Sequence, residues 1–337
     1  MNIQKNVSLK RFNTFGIDKK AKILVEVTHT EAVVEALEEA ESRGLPVFIL
    51  GGGSNILLTK NLDAFVIKIN IKGIQPIRED SDYIYVKVGA GEIWHDFVLA
   101  AIAANWAGIE NLSLIPGTVG ASPLQNIGAY GVEIKDVFDH LEAINIQSKE
   151  IEIFDRAHCE FGYRESIFKN RLKGKYIITH VIFKLSKIPR FNTSYGDIQR
   201  TLDQMGTSEP SLAAVSHAVI AIRQSKLPDP KIIGNAGSFF KNPTVKPEDY
   251  LALKKHHPTI PGFETEGGIK IPAAWLLEQA GWKGKTFGKI GVHKDQPLVL
   301  VNYGGGEGED LRQLSEAIQK DIHAKFGVLL HPEVNFI

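Results

Sequence analysis

The sequence predicts an α+β fold built from about two domains. Helical and strand patterns mix along the 337 residues without the steady strand–helix alternation of a doubly wound sheet. Glycine-rich loops interrupt the first half, and the character of the chain changes after about residue 190. We therefore predict one domain at 1–190, a second at 191–330 and a last strand within 331–337.

Apolar periodicity predicts the individual elements. In the first half we expect helices at 28–43, capped by Thr28 or Thr30, and at 92–106, with strands at 46–50, 64–69, 83–88, 141–146 and 176–185. In the second half we expect helices at 211–226, 272–281 and 308–326, with strands at 298–302 and 334–337.

Composition excludes several classes of protein. Lys plus Arg and Asp plus Glu each total 39, and this zero net charge argues against nucleic-acid and anionic-membrane binding. Cys159 is the only cysteine, so no disulfide forms within the chain and a reducing compartment is indicated. The first fifteen residues lack the apolar core of a signal peptide, and no apolar stretch has the length of a membrane span. We expect a cytoplasmic protein.

Two glycine-rich loops are the first candidates for a binding site. Gly51, Gly52, Gly53, Ser54 and Asn55 follow an apolar strand, and such a turn either directs backbone N–H groups at a phosphate or simply joins two strands. The loop at 117–131 contains four glycines, stiffened by Pro116 and Pro123, where a flat ring could approach the backbone. Its length favours a functional loop over an ordinary one.

Further candidates lie downstream, each with a plainer alternative. Arg164, beside Tyr163, could bind a carboxylate or phosphate, although an arginine on a helix face is commoner. Ser238 could donate a proton or simply cap a turn. Glu333 is either a placed acid or an edge charge, and its seven-residue context favours the edge charge. The histidines and the single cysteine show no metal-ligand spacing, so we expect no metal.

Taken together and in this order, these segments resemble the UDP-N-acetylenolpyruvoylglucosamine reductase family of bacterial peptidoglycan synthesis. The first two loops alone would indicate only the wider superfamily of vanillyl-alcohol-oxidase-like flavoproteins. The segment around Ser238 and the terminal motif are more specific. Residues 192–197 resemble the tyrosine loop of the family's first subclass. The matching segments span nearly the whole chain: 13–16, 51–55, 115–131, 163–169, 226–243, 271–284 and 331–337.

This resemblance implies both an architecture and a reaction. A PCMH-type FAD-binding domain of two subdomains would hold FAD non-covalently, and a C-terminal α+β domain would bind substrate, with residues 331–337 returning to the active site. A hydride would pass from NADPH through FAD to UDP-N-acetylglucosamine enolpyruvate, giving UDP-N-acetylmuramate. We expect a monomer with no partners beyond these small molecules.

The resemblance also implies residue roles. Ser238 would protonate C2 of the substrate, while Arg164 and Glu333 stabilise the enolate. The residues matching FAD positions are Gly51, Gly52, Gly53, Ser54, Asn55, Pro116, Gly117, Gly120, Ser122, Gln125, Asn126, Ile127, Gly128 and Arg223. Those matching substrate positions are Tyr163, Tyr195, Lys226, Asn242 and Gln296. Asn335 departs from the family, which often carries arginine there, and this puts one flavin or phosphate contact in question.

Two other interpretations stay open at this point. One is an alcohol oxidase or dehydrogenase of the same superfamily, in which His95 could attach the flavin covalently. The other is a non-catalytic protein that binds a nucleotide sugar. Yellow colour released by acid would support non-covalent FAD, whereas a purified protein without flavin absorbance would favour the binding protein.

Overall fold

The computed structural model describes residues 1–337, which form seven α-helices, nineteen short strands and five 3-10 turns. Helices α1 to α7 are, in chain order, Thr30–Ser42, Trp94–Ala103, Ile198–Gln204, Leu212–Lys226, Pro247–His256, Ala273–Gln279 and Gly308–Phe326. Strands β1 to β10 are Gln4–Ser8, Lys20–Val27, Val47–Leu50, Ile56–Leu57, Leu62–Ile69, Ile74–Glu79, Tyr83–Gly89, Gly128–Ala129, Val132–Glu133 and Phe138–Asn145. Strands β11 to β19 are Ile151–Asp155, Tyr176–Ser186, Thr244–Val245, Phe263–Thr265, Gly268–Lys270, Thr286–Phe287, Ile290–Val292, Leu300–Asn302 and Asn335–Phe336. This mixture confirms the predicted α+β class.

The chain packs as two compact units. Unit 1 contains 1–7, 21–52 and 63–225, and unit 2 contains 8–20, 53–62 and 226–337. Residues 191–225 therefore belong to unit 1, whereas the predicted domain 191–330 groups them with the C-terminal part. The domain limits at 190 and 330 stay a prediction.

Unit 1 has two sheets with helices packed on them. One sheet has the order β1-β2-β5-β3, and the other has the order β11-β10-β12-β7-β6. Helix α1 buries an apolar stripe of residues 32, 33, 36, 37 and 40. On α2, Trp94 and Phe97 contact Phe183 of β12, with ring centroids 5.8 and 4.9 Å apart. These aromatic contacts fix the start of α2 beside the second glycine-rich loop.

Unit 2 is built around helix α7. The helix buries Leu311, Ile318 and Ile322 and ends at Gly327, whose φ of +67° suits glycine. At its other end, a Cβ on Gly308 would lie 1.9 Å from the carbonyl oxygen of Leu58. Two three-stranded sheets, β13-β15-β14 and β16-β17-β18, belong to this unit, and β19 pairs in parallel with β4. The last strand therefore joins a segment far upstream in the sequence.

Several predicted details needed correction. Neither Thr28 nor Thr30 caps α1, because the N-cap is His29 and no side chain caps the helix. The helix predicted at 92–106 is shorter and spans Trp94–Ala103. The segment 117–131, predicted as a single loop, contains two 3-10 turns and the start of the β8–β9 hairpin. Helix α5 escaped prediction because it buries no residue and has no apolar stripe. No helix combines the length and apolarity that a membrane crossing requires.

Candidate active site

The two glycine-rich loops touch through their backbones within unit 1. A Cβ added to Gly52 would lie 2.8 Å from the Cα of Gly117, and one added to Gly51 would lie 3.0 Å from Thr118 Oγ1. Lys68 donates a hydrogen bond of 2.7 Å to the carbonyl oxygen of Gly51, and burial lowers the pKa of this lysine. Side chains are thus excluded where the loops meet, and only main-chain groups line this point.

The rest of the first loop, Gly53–Asn55, belongs to unit 2. Gly53 has a φ of +63°, and a Cβ there would lie 1.9 Å from the carbonyl oxygen of Phe12. The N–H of Thr14 donates to the carbonyl oxygen of Gly53, while the hydroxyl of Thr14 is buried without a hydrogen-bond partner. Half-buried Ser54 follows. Glycine is therefore required at position 53 by packing against Phe12, and the Thr14 hydroxyl is a candidate ligand contact that the sequence analysis missed.

The second loop is hydrogen-bonded to the residues that lead into α2. The N–H of Val119 donates to the carbonyl oxygen of Glu92, and the N–H of Gly120 donates to the carbonyl oxygen of Ala90, both at 2.9 Å. In the other direction, the N–H of Trp94 donates to the carbonyl oxygen of Gly117 at 3.1 Å. A Cβ on Gly120 would lie 2.4 Å from the Cβ of Ala90. Pro116, which is exposed, and Gly117, which is half-buried and has a φ of +113°, lead into this segment. The loop is therefore a well-defined structure and not a mobile connection.

Two of the polar side chains predicted to face a ligand bind the protein itself. The Ser122 hydroxyl is buried and donates to the oxygen of Val119 at 2.7 Å. The Asn126 amide donates to Glu133 Oε2 and to the oxygen of Gly162, and its own oxygen accepts from the Lys135 N–H. These two side chains therefore shape the loop. Ile127 is buried and Gln125 is half-buried beside them.

Arg164 lies against the second loop. Its Nη2 donates a hydrogen bond of 2.5 Å to the carbonyl oxygen of Gly128, and its guanidinium carbon lies 5.3 Å from the centre of the Tyr163 ring. The backbone φ of Arg164 is +55°, a left-handed conformation that a non-glycine residue adopts at a cost. Tyr163 is 42% exposed. Arg164 and Tyr163 therefore lie together beside the second loop, and their predicted roles stay a prediction.

Arg223 of α4, hydrogen-bonded to Tyr130, is a second guanidinium group near Arg164 in unit 1. Burial is the main cause of the lowered pKa of Arg223; nearby Arg164 lowers it further, whereas its hydrogen bond with the Tyr130 hydroxyl opposes that shift. Burial also raises the pKa of Tyr130. The Nε of Arg223 is buried without a hydrogen-bond partner. Two neighbouring guanidinium groups and an unpartnered buried donor are features of an anion-binding site. The sequence analysis did not single out Tyr130.

The tyrosine loop, 192–197, lies over the same turn. Asn111 donates from Nδ2 to the oxygens of Tyr130 and Asn192 at 3.0 and 2.8 Å. A Cβ on Gly131 would lie 3.3 Å from the Cβ of Tyr195, and the Tyr195 side chain is 59% exposed. Tyr195 is therefore held by its backbone near the second loop while its ring stays accessible.

In unit 2, backbone hydrogen bonds bring the segments of Ser238 and Glu333 side by side. The N–H of Glu333 donates to the oxygen of Phe239 at 2.8 Å, and Phe240 pairs with Pro332. Ser238 is exposed, between Gly237, with φ +71°, and buried Phe239. Two predicted catalytic residues thus lie at one place, despite nearly a hundred intervening residues.

The remaining predicted substrate residues are partly engaged. Asn242 Oδ1 accepts the N–H of Ala273 at the start of α6. Gln296 accepts from the N–H of Leu298, and its own N–H donates to Nδ1 of His293. Burial lowers the pKa of His293, so its ring remains an acceptor at neutral pH. Lys226 is the exposed last residue of α4. Each of these residues has a protein partner that fixes its position.

The comparisons with known proteins agree with both units. The FAD binding domain model matches residues 21–153, and the C-terminal domain model of UDP-N-acetylenolpyruvoylglucosamine reductase matches residues 229–337. The solved UDP-N-acetylenolpyruvylglucosamine reductase from Thermus caldophilus superposes with a TM-score of 0.70 at 22% identity, covering 100% of this chain and 99% of that one. This likeness shows that the two chains share their fold over their whole length.

Sequence relatives extend the assignment from the fold to the family. The UDP-N-acetylenolpyruvoylglucosamine reductase of Flavobacterium johnsoniae is 54% identical, covering 100% of both chains. Those of Amoebophilus asiaticus and Pseudomonas aeruginosa are 49% and 45% identical, covering 100% and 99% of each chain. The chain belongs to the UDP-N-acetylenolpyruvoylglucosamine reductase family, as its motifs predicted.

Proposed function

We propose that the chain catalyses the NADPH-dependent reduction of UDP-N-acetylglucosamine enolpyruvate to UDP-N-acetylmuramate, with bound FAD, during peptidoglycan precursor synthesis. The observation that carries the proposal is the pairing of the Ser238 segment with the Glu333 segment inside a chain that has the family's FAD-binding domain. A candidate proton donor and a second acid are thereby held together next to an exposed surface.

The chain's own residues fit a non-covalent flavin. In unit 1, the glycine backbone at 51–52 and 117 and the buried Nε of Arg223 are suited to phosphate and ring contacts. Burial raises the pKa of the Cys159 thiol to about 12, so this thiol cannot act as an attachment nucleophile. His95 already accepts a backbone N–H at Nδ1. When bound, FAD supplies the hydride-transfer chemistry between NADPH and the substrate.

Ser238 is the proposed proton donor to C2 of the substrate. The reduced double bond leaves a carbanion-like carbon beside the carboxylate, and that carbon is basic enough to take a proton from a hydroxyl. The exposed position after Gly237 lets substrate reach the Ser238 hydroxyl. A general acid of this kind contributes about 10²–10⁴-fold to a rate.

Arg164 and Glu333 are the proposed stabilisers of the enolate. Negative charge grows on the substrate carboxylate as hydride adds, and interactions that strengthen with that charge accelerate the step. The hydrogen bond from Arg164 to Gly128 holds the guanidinium in place before substrate arrives. Glu333 is positioned through its backbone N–H.

We assign substrate contacts to Tyr163, Tyr195, Lys226, Asn242 and Gln296 on the same basis. The two tyrosines expose 42% and 59% of their surface, which suits stacking or hydrogen bonding with a sugar nucleotide. The ammonium group of Lys226 suits the substrate diphosphate. We also propose that the chain works in the cytoplasm as a monomer, and light scattering of the purified protein tests the monomer.

The visible spectrum tests the central proposal. The purified protein should absorb as an oxidised flavoprotein and release its flavin on acid precipitation. NADPH should bleach that absorbance without oxygen, and UDP-N-acetylglucosamine enolpyruvate should restore it. A protein that contains no flavin, or whose reduced form is not reoxidised by this substrate, would contradict the proposed function.

A further inference from the structure

Residues 90–95, at the start of α2, form five hydrogen bonds with residues 112–120, which lead into the second loop and begin it. Three of them are the main-chain hydrogen bonds described above, and a fourth runs from Trp94 Nε1 to the carbonyl oxygen of Leu112 at 2.9 Å. None of these four bonds has a group that titrates between pH 5 and 8, so pH does not change them. The fifth is different. The N–H of Leu114 donates to Nδ1 of His95 at 3.0 Å. The acceptor in this bond is a titratable ring nitrogen.

Leu114 is held in an unfavourable backbone conformation. Its φ is +60°, in the left-handed region that is unfavourable for a residue with a Cβ. It lies two residues before Pro116 and three before Gly117, where the proposed flavin loop begins. A hydrogen bond to the N–H of Leu114 therefore stabilises a conformation that Leu114 would otherwise leave, and that conformation sets the direction in which the loop starts.

The bond fixes the state of the histidine ring. An imidazole nitrogen accepts a hydrogen bond only when it carries no proton, so the neutral ring of His95 has its proton on Nε2. The charged groups acting on His95 are Asp96 on its own helix and Arg223 on α4. Glu110, in the adjoining 3-10 turn at 110–112, accepts the N–H of Gly108. Burial chiefly, and then the positive charge of Arg223, lower the pKa of His95, which keeps the ring neutral at pH 7.

We infer that His95 is a positioning residue for the flavin loop, whose unprotonated Nδ1 holds Leu114 in the left-handed conformation, so that protonation of the ring weakens FAD binding. The inference rests on the proposed assignment of the second loop to FAD. Protonation replaces the acceptor by a second N–H donor opposite the N–H of Leu114. The weakening therefore appears as pH falls through the pKa of His95 and is absent above it.

The matched variants are His95→Asn, His95→Ala and Ser113→Ala. The amide oxygen of Asn lies where Nδ1 lies in His and accepts a hydrogen bond at every pH, whereas Ala removes the acceptor. Ser113 is the control because it neighbours Leu114 in the same segment. Its buried hydroxyl donates to the carbonyl oxygen of Glu110 and lies 2.8 Å from the hydroxyl oxygen of Ser216. None of those groups titrates in the acid range.

The experiment measures the FAD dissociation constant of the flavin-stripped chain by fluorescence quenching from pH 5 to 8. Wild type should bind FAD about three- to tenfold more weakly at the acid end, as expected for one lost hydrogen bond. His95→Asn should bind with no such acid weakening. His95→Ala should bind about three- to tenfold more weakly at every pH. Ser113→Ala should keep the acid weakening of wild type.

A second readout does not depend on flavin. Hydrogen exchange of the Leu114 amide, followed by NMR, should be faster in His95→Ala than in wild type and slow in His95→Asn. The inference is overturned if His95→Asn keeps the wild-type acid weakening, or if His95→Ala leaves both FAD affinity and Leu114 exchange unchanged. A wild-type chain that binds no FAD would instead overturn the proposed function, and Leu114 exchange would still test His95.

Discussion

Asn335 binds the carbonyl oxygen of Asn55 twice, through its backbone N–H at 3.1 Å and through its side-chain Nδ2 at 3.0 Å. The side chain of Asn55 in turn donates to the oxygen of Glu333 at 3.1 Å. Asn335 is the position that the sequence analysis marked as a departure from the family pattern. Here it anchors the terminal segment that contains Glu333 and β19.

We predict that Asn335→Ala slows the second half-reaction more than the first. The variant loses the Nδ2 hydrogen bond, keeps the backbone one, and so loses about 1 kcal/mol of stability. Reoxidation of the reduced enzyme by the enolpyruvyl substrate should slow severalfold because Glu333 is less well placed, while reduction by NADPH is unchanged. Stopped-flow absorbance measures both steps. Asn335→Asp puts a carboxylate oxygen opposite the Asn55 carbonyl oxygen, and this repulsion should slow reoxidation further. Equal slowing of both steps would contradict the prediction.

Ser238→Ala should separate the half-reactions more sharply. Reduction by NADPH requires no proton at C2 of the substrate, so its rate should stay near that of wild type. Reoxidation requires that proton and should slow by about 10²–10⁴-fold. Ser238→Cys should recover part of the rate, because a thiol can donate in the same geometry. Ser42→Ala, at the end of α1, serves as the control. Unchanged reoxidation in Ser238→Ala would assign the acid to another residue.

Replacing the first-loop glycines should distinguish ligand contact from packing. Gly52→Ala places a Cβ against the backbone of Gly117, so we expect FAD affinity to fall at least tenfold. Gly51→Ala meets only the Thr118 side chain and should cost less. Gly53→Ala clashes with Phe12 and should lower the free energy of unfolding by about 1–3 kcal/mol, with or without FAD. Isothermal titration and thermal unfolding separate the effects. Full FAD affinity in Gly52→Ala would contradict the proposed phosphate contact.

Glu142 should make stability depend on acid. Its carboxylate contacts His180 at 3.2 Å and Lys87 at 2.7 Å, and these hydrogen bonds, that of His180 first, lower its pKa from 4.5 to about 2. Because the folded pKa lies below the unfolded one, the stabilisation is complete above pH 4.5 and is lost as pH falls towards 2.

The corresponding variant is Glu142→Gln. Urea unfolding at pH 7 should show a loss of about 1–2 kcal/mol, since these side chains are partly exposed, and the difference from wild type should shrink by pH 3. Glu41→Gln removes an ion pair with Lys149 in which the carboxylate is largely exposed, and should change stability little. A Glu142→Gln deficit that is equally large at pH 3 would rule out the ion pairs as its cause.

Local patterns predicted the elements that bury one face. Helix α7 was predicted at 308–326, its observed limits, because its apolar residues recur at helical spacing and Gly327 ends it. Strands β5, β7, β10 and β12 lay within two to three residues of prediction because their cores are apolar runs. Helix α5 and strand β6 bury almost nothing, so periodicity could not reveal them.

The site divides in the same way. Motif resemblance selected Arg164, Ser238 and Glu333, and the structure places the segments of Ser238 and Glu333 side by side. The partnerships of Tyr130 with Arg223 and of His95 with Leu114 join residues from separate elements, so no local pattern contains them. Nothing in the local sequence argued against ligand roles for the Ser122 and Asn126 side chains. Only the folded loop shows that both side chains donate to backbone oxygens of the protein.

The parallel pair β4–β19 also constrains the biosynthesis of the protein. Asn55 leaves the ribosome 278 residues before its partner Glu333. At roughly 5–20 residues per second, the first segment waits roughly 15–60 s for the strand that covers it. Throughout that interval the edge of Ile56 and Leu57 is open to other nascent chains or to chaperones. Ser238 is translated well before this edge is covered, so the proposed proton donor exists in the growing chain before its acidic neighbour does.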